Sequence, residues 1–255
     1  TLISPRLWKH GVVGLLCSLA WLGVLLIGRS ADQTQQGWES IVGLTAGKLT
    51  TFFSTVMLLA AGQLAFINLW YRSRSRKDFN GSYKLWFYAA VGWLAMCAFR
   101  ATGAHWSLAD AVLAGRPMAI WNGRMIVWLI PAAIVFVSLY VLLRREMRHC
   151  RESLWMLRLT GLTAFANGLT LLVGQFCLTT GMQLFAEAGL SMGWQMLLAW
   201  AMLLHARHVI HVCNEPPQSP IQRWHWRDLL PGWPGKRSVR AVKVGKSPGS
   251  EKRTS

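Results

Sequence analysis

Long uncharged apolar runs alternate with short basic stretches along this chain. Six runs without Asp, Glu, Lys, Arg or His extend over residues 11–28, 49–71, 85–99, 125–143, 159–186 and 188–204. About 20 helical residues cross the hydrocarbon core of a bilayer. None of the runs alternates polar and apolar residues as membrane strands do. The pattern therefore predicts an all-α integral membrane protein, a bundle of six transmembrane helices.

Composition supports lipid as the solvent of these runs. Of the 255 residues, 53% are hydrophobic and 15% are charged, whereas soluble domains carry about 25% charged residues. The net charge of +17 would suggest nucleic-acid binding in a soluble protein. Here the charges stand at the ends of apolar runs, where they meet lipid headgroups. We therefore expect membrane lipids, including anionic headgroups, and other membrane proteins as partners, and no nucleic acid.

The basic residues also predict an orientation. The stretch RSRSRK, residues 72–77, separates the second and third runs. With six spans, 22 of the 27 Lys and Arg residues fall on the side of this stretch and five on the other. Short loops rich in Lys and Arg stay in the cytoplasm. Both termini are therefore expected in the cytoplasm, and the protein is expected to be a multi-pass protein of the cell inner membrane.

Two regions follow from this organisation. Residues 1–213 form the six-span domain, and residues 214–255 begin with a Pro-rich linker and form a basic tail that we expect to be disordered. Arg6 and Lys9 before an apolar run also fit a signal peptide. The length of the run and the lack of an A-x-A-like site favour an uncleaved first span.

Several local features refine the spans. The run 85–99 covers only about 22 Å, so we expect its helix to continue through residues 101–103, with Arg100 at the outer boundary. Apolar positions in 101–120 predict a short surface helix. Asn80-Gly81 predicts a tight turn, and Pro131 predicts a kink. The cysteines in the runs are expected as small buried side chains, with a Cys97–Cys177 disulfide as the alternative.

The hairpin region carries one resemblance. The segment RSRSRKDFNGSYKLWFYAA, residues 72–90, joins a basic run, an acidic-aromatic pair, a Gly and an aromatic-rich helix start. It resembles a hairpin of uncharacterised multi-pass membrane proteins of planctomycete-type bacteria. The resemblance covers less than a tenth of the chain. It implies a six-span bacterial inner-membrane protein, with no activity and no site residues.

A polar cluster on the predicted outer side is the first candidate site. Its members are Arg100, His105, Asp110, Arg124 and Glu187. Charges near a bilayer are costly and often functional, so the functional interpretation of the cluster is an anion or small-molecule site built on Arg100 and Arg124. The alternative is an interfacial loop whose charges are solvated or paired, with Glu187 as the expected partner of Arg100.

A histidine pair on the cytoplasmic side is the second candidate. His205 and His208 are three residues apart at the end of the sixth run, so they share a helix face and could bind zinc or copper. The alternative is a pair of cationic interface residues, because the spacing matches no zinc motif and no carboxylate accompanies it. No other cofactor is expected.

Five amide side chains lie in the middle of predicted spans. Such groups usually join helices by hydrogen bonds, and a permeation path is the alternative. They are Gln63, Asn68, Asn167, Gln175 and Gln195. The chain has neither a Walker motif nor H-E-x-x-H, and we expect no enzyme. The sequence favours a structural or interaction subunit or scaffold, with a small-molecule or ion transporter or sensor that uses the outer cluster as the alternative.

Overall fold

The computed structural model describes residues 3–34, 39–44, 48–73, 83–114 and 123–212. Every regular element in these ranges is helical, which confirms the all-α class. The helices are α1 (Leu7–Thr34), α2 (Glu39–Val42), α3 (Lys48–Ser73), α4 (Lys84–Thr102), α5 (Ala104–Ala114), α6 (Gly123–Glu146), α7 (Arg151–Cys177) and α8 (Thr180–Arg207). A 3₁₀ turn, Met147–His149, joins α6 to α7, and a π-helical turn, His208–Val212, follows α8.

Five of these helices are long and apolar enough to cross a membrane, namely α1, α3, α4, α6 and α7. Several helices that can cross a membrane confirm the prediction of a multi-pass membrane protein. Helix α8 is as long as α1, with 28 residues. It is not among these five, because its apolar stretch is interrupted by Gln, Trp and His residues. It is nevertheless the most internal helix, because its buried positions run almost without interruption from Met192 to Ala206.

The predicted boundary between the fifth and sixth spans is wrong. The sequence placed it at Glu187, the charge that ends the run 159–186. The chain instead turns at Leu178 and Thr179, where both residues are extended, and α8 starts at Thr180. Glu187 is therefore inside α8. Its carboxylate accepts a hydrogen bond from Gln183 Nε2 at 2.7 Å, one turn earlier, so the acid is accommodated without ending the helix.

The expected extension of the short third span is confirmed. Helix α4 continues through Arg100 to Thr102 and ends at Gly103, whose φ of 65° suits a residue without a side chain. Helix α5 then begins at once, so the predicted short helix in 101–120 exists. Helix α6 passes through Pro131 as one element. The Asn80-Gly81 turn and the basic tail lie outside the described residues.

Helix α8 forms the centre of the bundle, packed by α1, α3 and α7, while α3 also packs on α4. Glycines allow the closest approaches. A Cβ on Gly14 of α1 would overlap the ring of Trp200 in α8, and one on Gly62 would lie 2.9 Å from Leu94. Small residues at such positions let membrane helices approach closely.

Cys97 and Cys177 are both free thiols, so the Cys97–Cys177 disulfide is not formed. Cys97 is buried as expected, and its Sγ donates to Thr55 O at 3.4 Å. Cys177 is exposed, which contradicts the expectation of burial for that residue. It is the last residue of α7, beside the connection that the sequence did not reveal.

Candidate functional site

One end of the bundle collects charged and aromatic side chains from several helices. The up-and-down chain path brings the ends of α3, α6 and α8 together with the starts of α4 and α7. We call this region, which contains Arg72, Trp86, Glu146 and His205, the basic end. Arg72 of α3 forms an ion pair with Glu146 of α6, and their side chains are only 13% and 18% exposed. The pair therefore lies largely out of water.

Trp86 and His205 form the centre of the basic end. Their rings are stacked, with centroids 4.8 Å apart and planes 16° apart. The guanidinium of Arg72 lies 5.8 Å from the centroid of the Trp86 ring, within the range of a cation–π contact. The ion pair thus connects α6 to α3, the cation–π contact connects α3 to α4, and the ring stack connects α4 to α8.

Several buried polar atoms at the basic end have no hydrogen-bond partner among the described residues. They are both ring nitrogens of His205, Nε1 of Trp86, and both Oδ1 and Nδ2 of Asn68. These three side chains are at most 1% exposed. Buried polar groups are paired in nearly all folded proteins, so these atoms at the basic end call for a partner.

The predicted histidine pair is brought together only partly. The rings of His205 and His208 lie 6.2 Å apart between centroids. Burial lowers the pKa of His208, and the charge of Arg72 lowers it further. Within the described ranges, no group of three or more His, Cys, Asp or Glu residues could hold a metal ion. Zinc or copper at His205 and His208 remains a prediction.

The outer cluster has a defined part around Arg100. His105 of α5 contacts Phe99 O through Nδ1 at 3.2 Å, and its ring packs against Trp106 and Trp128. Arg100 Nε is buried and has no hydrogen-bond partner among the described residues. Burial lowers the pKa of His105 in spite of the Phe99 carbonyl, and the neighbouring Arg100 charge lowers it further. The structure thus places Arg100 near His105, whose ring packs against aromatic rings of α5 and α6.

The other predicted members of the outer cluster are placed differently. Glu187 bonds to Gln183 on its own helix and forms no ion pair with Arg100, so the expected Arg100–Glu187 partnership is not formed. Asp110 is on α5 and exposed. The side chain of Arg124 lies outside the described residues. The sequence grouped Arg100 and His105 in one cluster, and the structure places them near each other. The expected pairing of Arg100 with Glu187 depended on the misplaced boundary at Glu187.

The mid-membrane amides do not join helices in the way expected. Asn68 Oδ1 and Nδ2, Asn167 Oδ1 and Gln195 Oε1 have no partner within the described ranges. Gln63 is exposed, and the side chain of Gln175 is outside the description. Other groups link the helices. Trp21 Nε1 donates to Gly189 O at 3.1 Å, and Ser153 Oγ donates to Ala201 O at 3.1 Å.

One pattern typical of serine hydrolases occurs in α8, as Gly189-Leu190-Ser191-Met192-Gly193. In those enzymes G-x-S-x-G forms a sharp turn between a strand and a helix, which exposes the serine. Here all five residues lie inside one continuous helix. Both glycines face α1, since a Cβ on either would contact Leu25 or Trp21. The pattern therefore serves helix packing and provides no nucleophile.

Asn68, Trp86 and the Arg72–Glu146 pair were not among the predicted site residues. The sequence identified Asn68 only as a membrane amide, and Trp86 fits a boundary aromatic. The stack of Trp86 with His205 joins distant parts of the chain and left no signal in the sequence. The resemblance of residues 72–90 to a bacterial hairpin stays a prediction, since residues 74–82 lie outside the description. No protein-family model, no curated protein and no solved structure matches this chain.

Proposed function

We propose that the chain crosses the cell inner membrane six times, with α8 as the sixth span and both termini in the cytoplasm. Two features support this arrangement. The 28 residues of α8 are enough to cross a bilayer, and α8 ends beside Arg72 and Glu146, as a returning span would. The 22 to 5 distribution of Lys and Arg supports the basic end as the cytoplasmic one.

Within that membrane, we propose a structural or interaction role, as a subunit or scaffold. The observation that carries this proposal is how the interior uses its polar side chains. Trp21, Cys97 and Ser153 each donate to a backbone carbonyl of a neighbouring helix. Such bonds fix the arrangement of helices in lipid. A bundle whose polar groups hold its own helices together suits assembly better than turnover of a substrate.

The periphery of the bundle supports the same role. In the most apolar stretches of α6 and α7, 11% of the residues are buried. The corresponding share in α3 is 39%. Their outer faces are broad, apolar and available to lipid or to another membrane protein. Exposed residues on these faces include Ile130, Ile134, Val137, Leu162, Phe165 and Leu169.

Purification in mild detergent, followed by unbiased identification of co-purifying proteins, tests the role. We expect a reproducible membrane-protein partner. Phe165→Ala, at a side chain 66% exposed on α7, should reduce its recovery. Leu19→Ala is the matched control, because Leu19 is 56% exposed on α1 and its truncation should leave recovery unchanged. A wild-type protein that purifies alone contradicts the proposal.

A second candidate function is a small-molecule or ion transporter or sensor on the outer face. The observation that favours it is the buried Nε of Arg100, which has no partner in the described residues and lies beside His105. Thermal unfolding in the presence of a panel of small organic anions tests it. A stabilising anion should lose its effect in Arg100→Gln. It should keep its effect in Arg29→Gln, a change at the arginine that follows the first apolar run. Absence of any stabilising anion rejects this candidate.

A further inference from the structure

Three buried side chains of the basic end, on α3, α4 and α8, carry N–H groups without a partner among the described residues. Trp86 and His205 are stacked. Asn68 lies one helical turn before Arg72, whose guanidinium is over the Trp86 ring. Residues four apart share a helix face, so Asn68 is on the side of α3 that meets Trp86. None of the three has a hydrogen-bond partner for its buried nitrogens among the described residues.

The balance of donors and acceptors in this group is uneven. Trp86 offers a donor and no acceptor, the amide nitrogen of Asn68 offers two N–H donors, and His205 offers at least one. Only Asn68 Oδ1 and one imidazole nitrogen can accept. The group therefore matches an acceptor ligand better than a donor ligand.

The charges nearby point the same way. Glu146 is engaged by Arg72, and Glu152 lies 3.7 Å from Arg207, so both carboxylates face guanidinium groups. Further arginines flank them on α6, α7 and the intervening turn, namely Arg144, Arg145, Arg148, Arg151 and Arg158. A positive potential in a low-dielectric setting concentrates anions and repels cations. This also weighs against a metal cation at His205.

We propose that Asn68, Trp86 and His205 bind a small inorganic anion of the halide class between α3, α4 and α8. The anion accepts hydrogen bonds from the indole, amide and imidazole N–H groups. Its small size follows from burial, because side chains at most 1% exposed leave no access for a lipid headgroup or a peptide carboxylate. The site is independent of any partner protein that the bundle binds.

Equilibrium dialysis against radiolabelled chloride tests the proposal on full-length protein in detergent, with gluconate keeping the ionic strength constant. We expect saturable binding. Trp86→Phe keeps a ring on His205 and removes one N–H, so affinity should fall about tenfold. Trp93→Phe is the matched control: Trp93 is also on α4, fully buried and unpaired at Nε1, but packs on Phe136. Its affinity should stay within about twofold of the wild type.

A second exchange keeps the proposal testable if Trp86→Phe folds poorly. Asn68→Asp preserves the shape of the side chain and adds a negative charge, so it should abolish chloride binding. Chloride should raise the thermal midpoint of the wild type but not of Asn68→Asp. Gln195→Glu, the same exchange elsewhere in the core, should retain the chloride effect. A wild type without saturable chloride binding, or equal binding by Asn68→Asp and Gln195→Glu, shows that these side chains bind only water.

Discussion

The imidazole of His205 lies parallel to the indole of Trp86, and the stack closes the centre of the bundle where α8 ends and α4 begins. Both side chains are inaccessible to solvent, at 1% and 0% exposure. Two rings from distant parts of the chain thus hold the two helices in register, with Arg72 adding a contact from α3.

Truncation of Trp86 should therefore destabilise the whole bundle. Trp86→Ala removes a fully buried indole and leaves a cavity, and we expect a loss of about 3–5 kcal/mol in the free energy of unfolding. Trp155→Ala is the control, because Trp155 is 51% exposed near the same end on α7 and should change stability by at most about 0.5 kcal/mol. Denaturant unfolding in detergent measures both. Equal losses would mean that the stack is not a stabilising contact.

Gly14 should be irreplaceable at the contact between α1 and α8. A Cβ there would overlap the ring of Trp200, so Gly14→Ala should cost about 1–3 kcal/mol. Gly11→Ala and Gly23→Ala add a Cβ with nothing within 4 Å. Each should be neutral or stabilising by up to about 1 kcal/mol, because Ala favours helix. A thermal midpoint for Gly14→Ala as high as for these controls would place Trp200 elsewhere.

The sequence predicted the helices well and their ends less well, for a physical reason. Apolar runs reveal the residues that lipid surrounds, so the centres of α1, α3, α4 and α6 were correctly located. A turn between two membrane helices needs no charge. Leu178 and Thr179 carry none, and the nearest charge, Glu187, is accommodated within α8 by Gln183. The boundary was therefore displaced toward the charge.

The candidate sites show a similar contrast. Arg100 and His105 are close in sequence, so their association on either side of Gly103 could be predicted. The group formed by Asn68, Trp86 and His205 depends on how α3, α4 and α8 pack, which single-chain periodicity does not encode. Partner choice is likewise a packing outcome. Glu146 was an unremarked acid among basic residues, yet it forms the ion pair with Arg72.

The Arg72–Glu146 pair should show coupling in a double-mutant cycle. Because both side chains are less than 20% exposed, Arg72→Leu or Glu146→Gln alone leaves a poorly solvated charge and should cost about 1–3 kcal/mol. The double variant should cost less than the sum of the two single losses. Arg144→Leu, at an exposed arginine on the same helix turn, serves with Glu146→Gln as the control pair. If the loss in the double variant equals the sum of the two single losses, the Arg72–Glu146 pair does not stabilise the fold.

Acid should weaken the α5–α6 contact through His105. Burial holds the pKa of His105 below its usual 6.5 in the folded protein. As pH falls below about 6.5, the unfolded chain takes up a proton before the folded one does, so stability is complete above this pH and declines below it. His105→Gln should reduce the slope of thermal midpoint against pH. Ser107→Ala, on the same helix, should keep the wild-type slope. An unchanged slope in His105→Gln would show that His105 does not cause the loss of stability in acid.

Reporter fusions test the six-span arrangement. Arg72, Glu146 and His205 lie together at one end of the bundle, so the segments that follow α3 and α6 must be on the same side of the membrane as the end of α8. Fusions after Lys77 and after Arg151 should therefore read cytoplasmic, given the excess of Lys and Arg on that side. A fusion after Gly115 should read periplasmic, because α4 carries the chain across.

A periplasmic signal after Lys77 would reverse the orientation. Identical signals after Lys77 and Gly115 would mean that α4 does not cross, and the count of six spans would then be wrong.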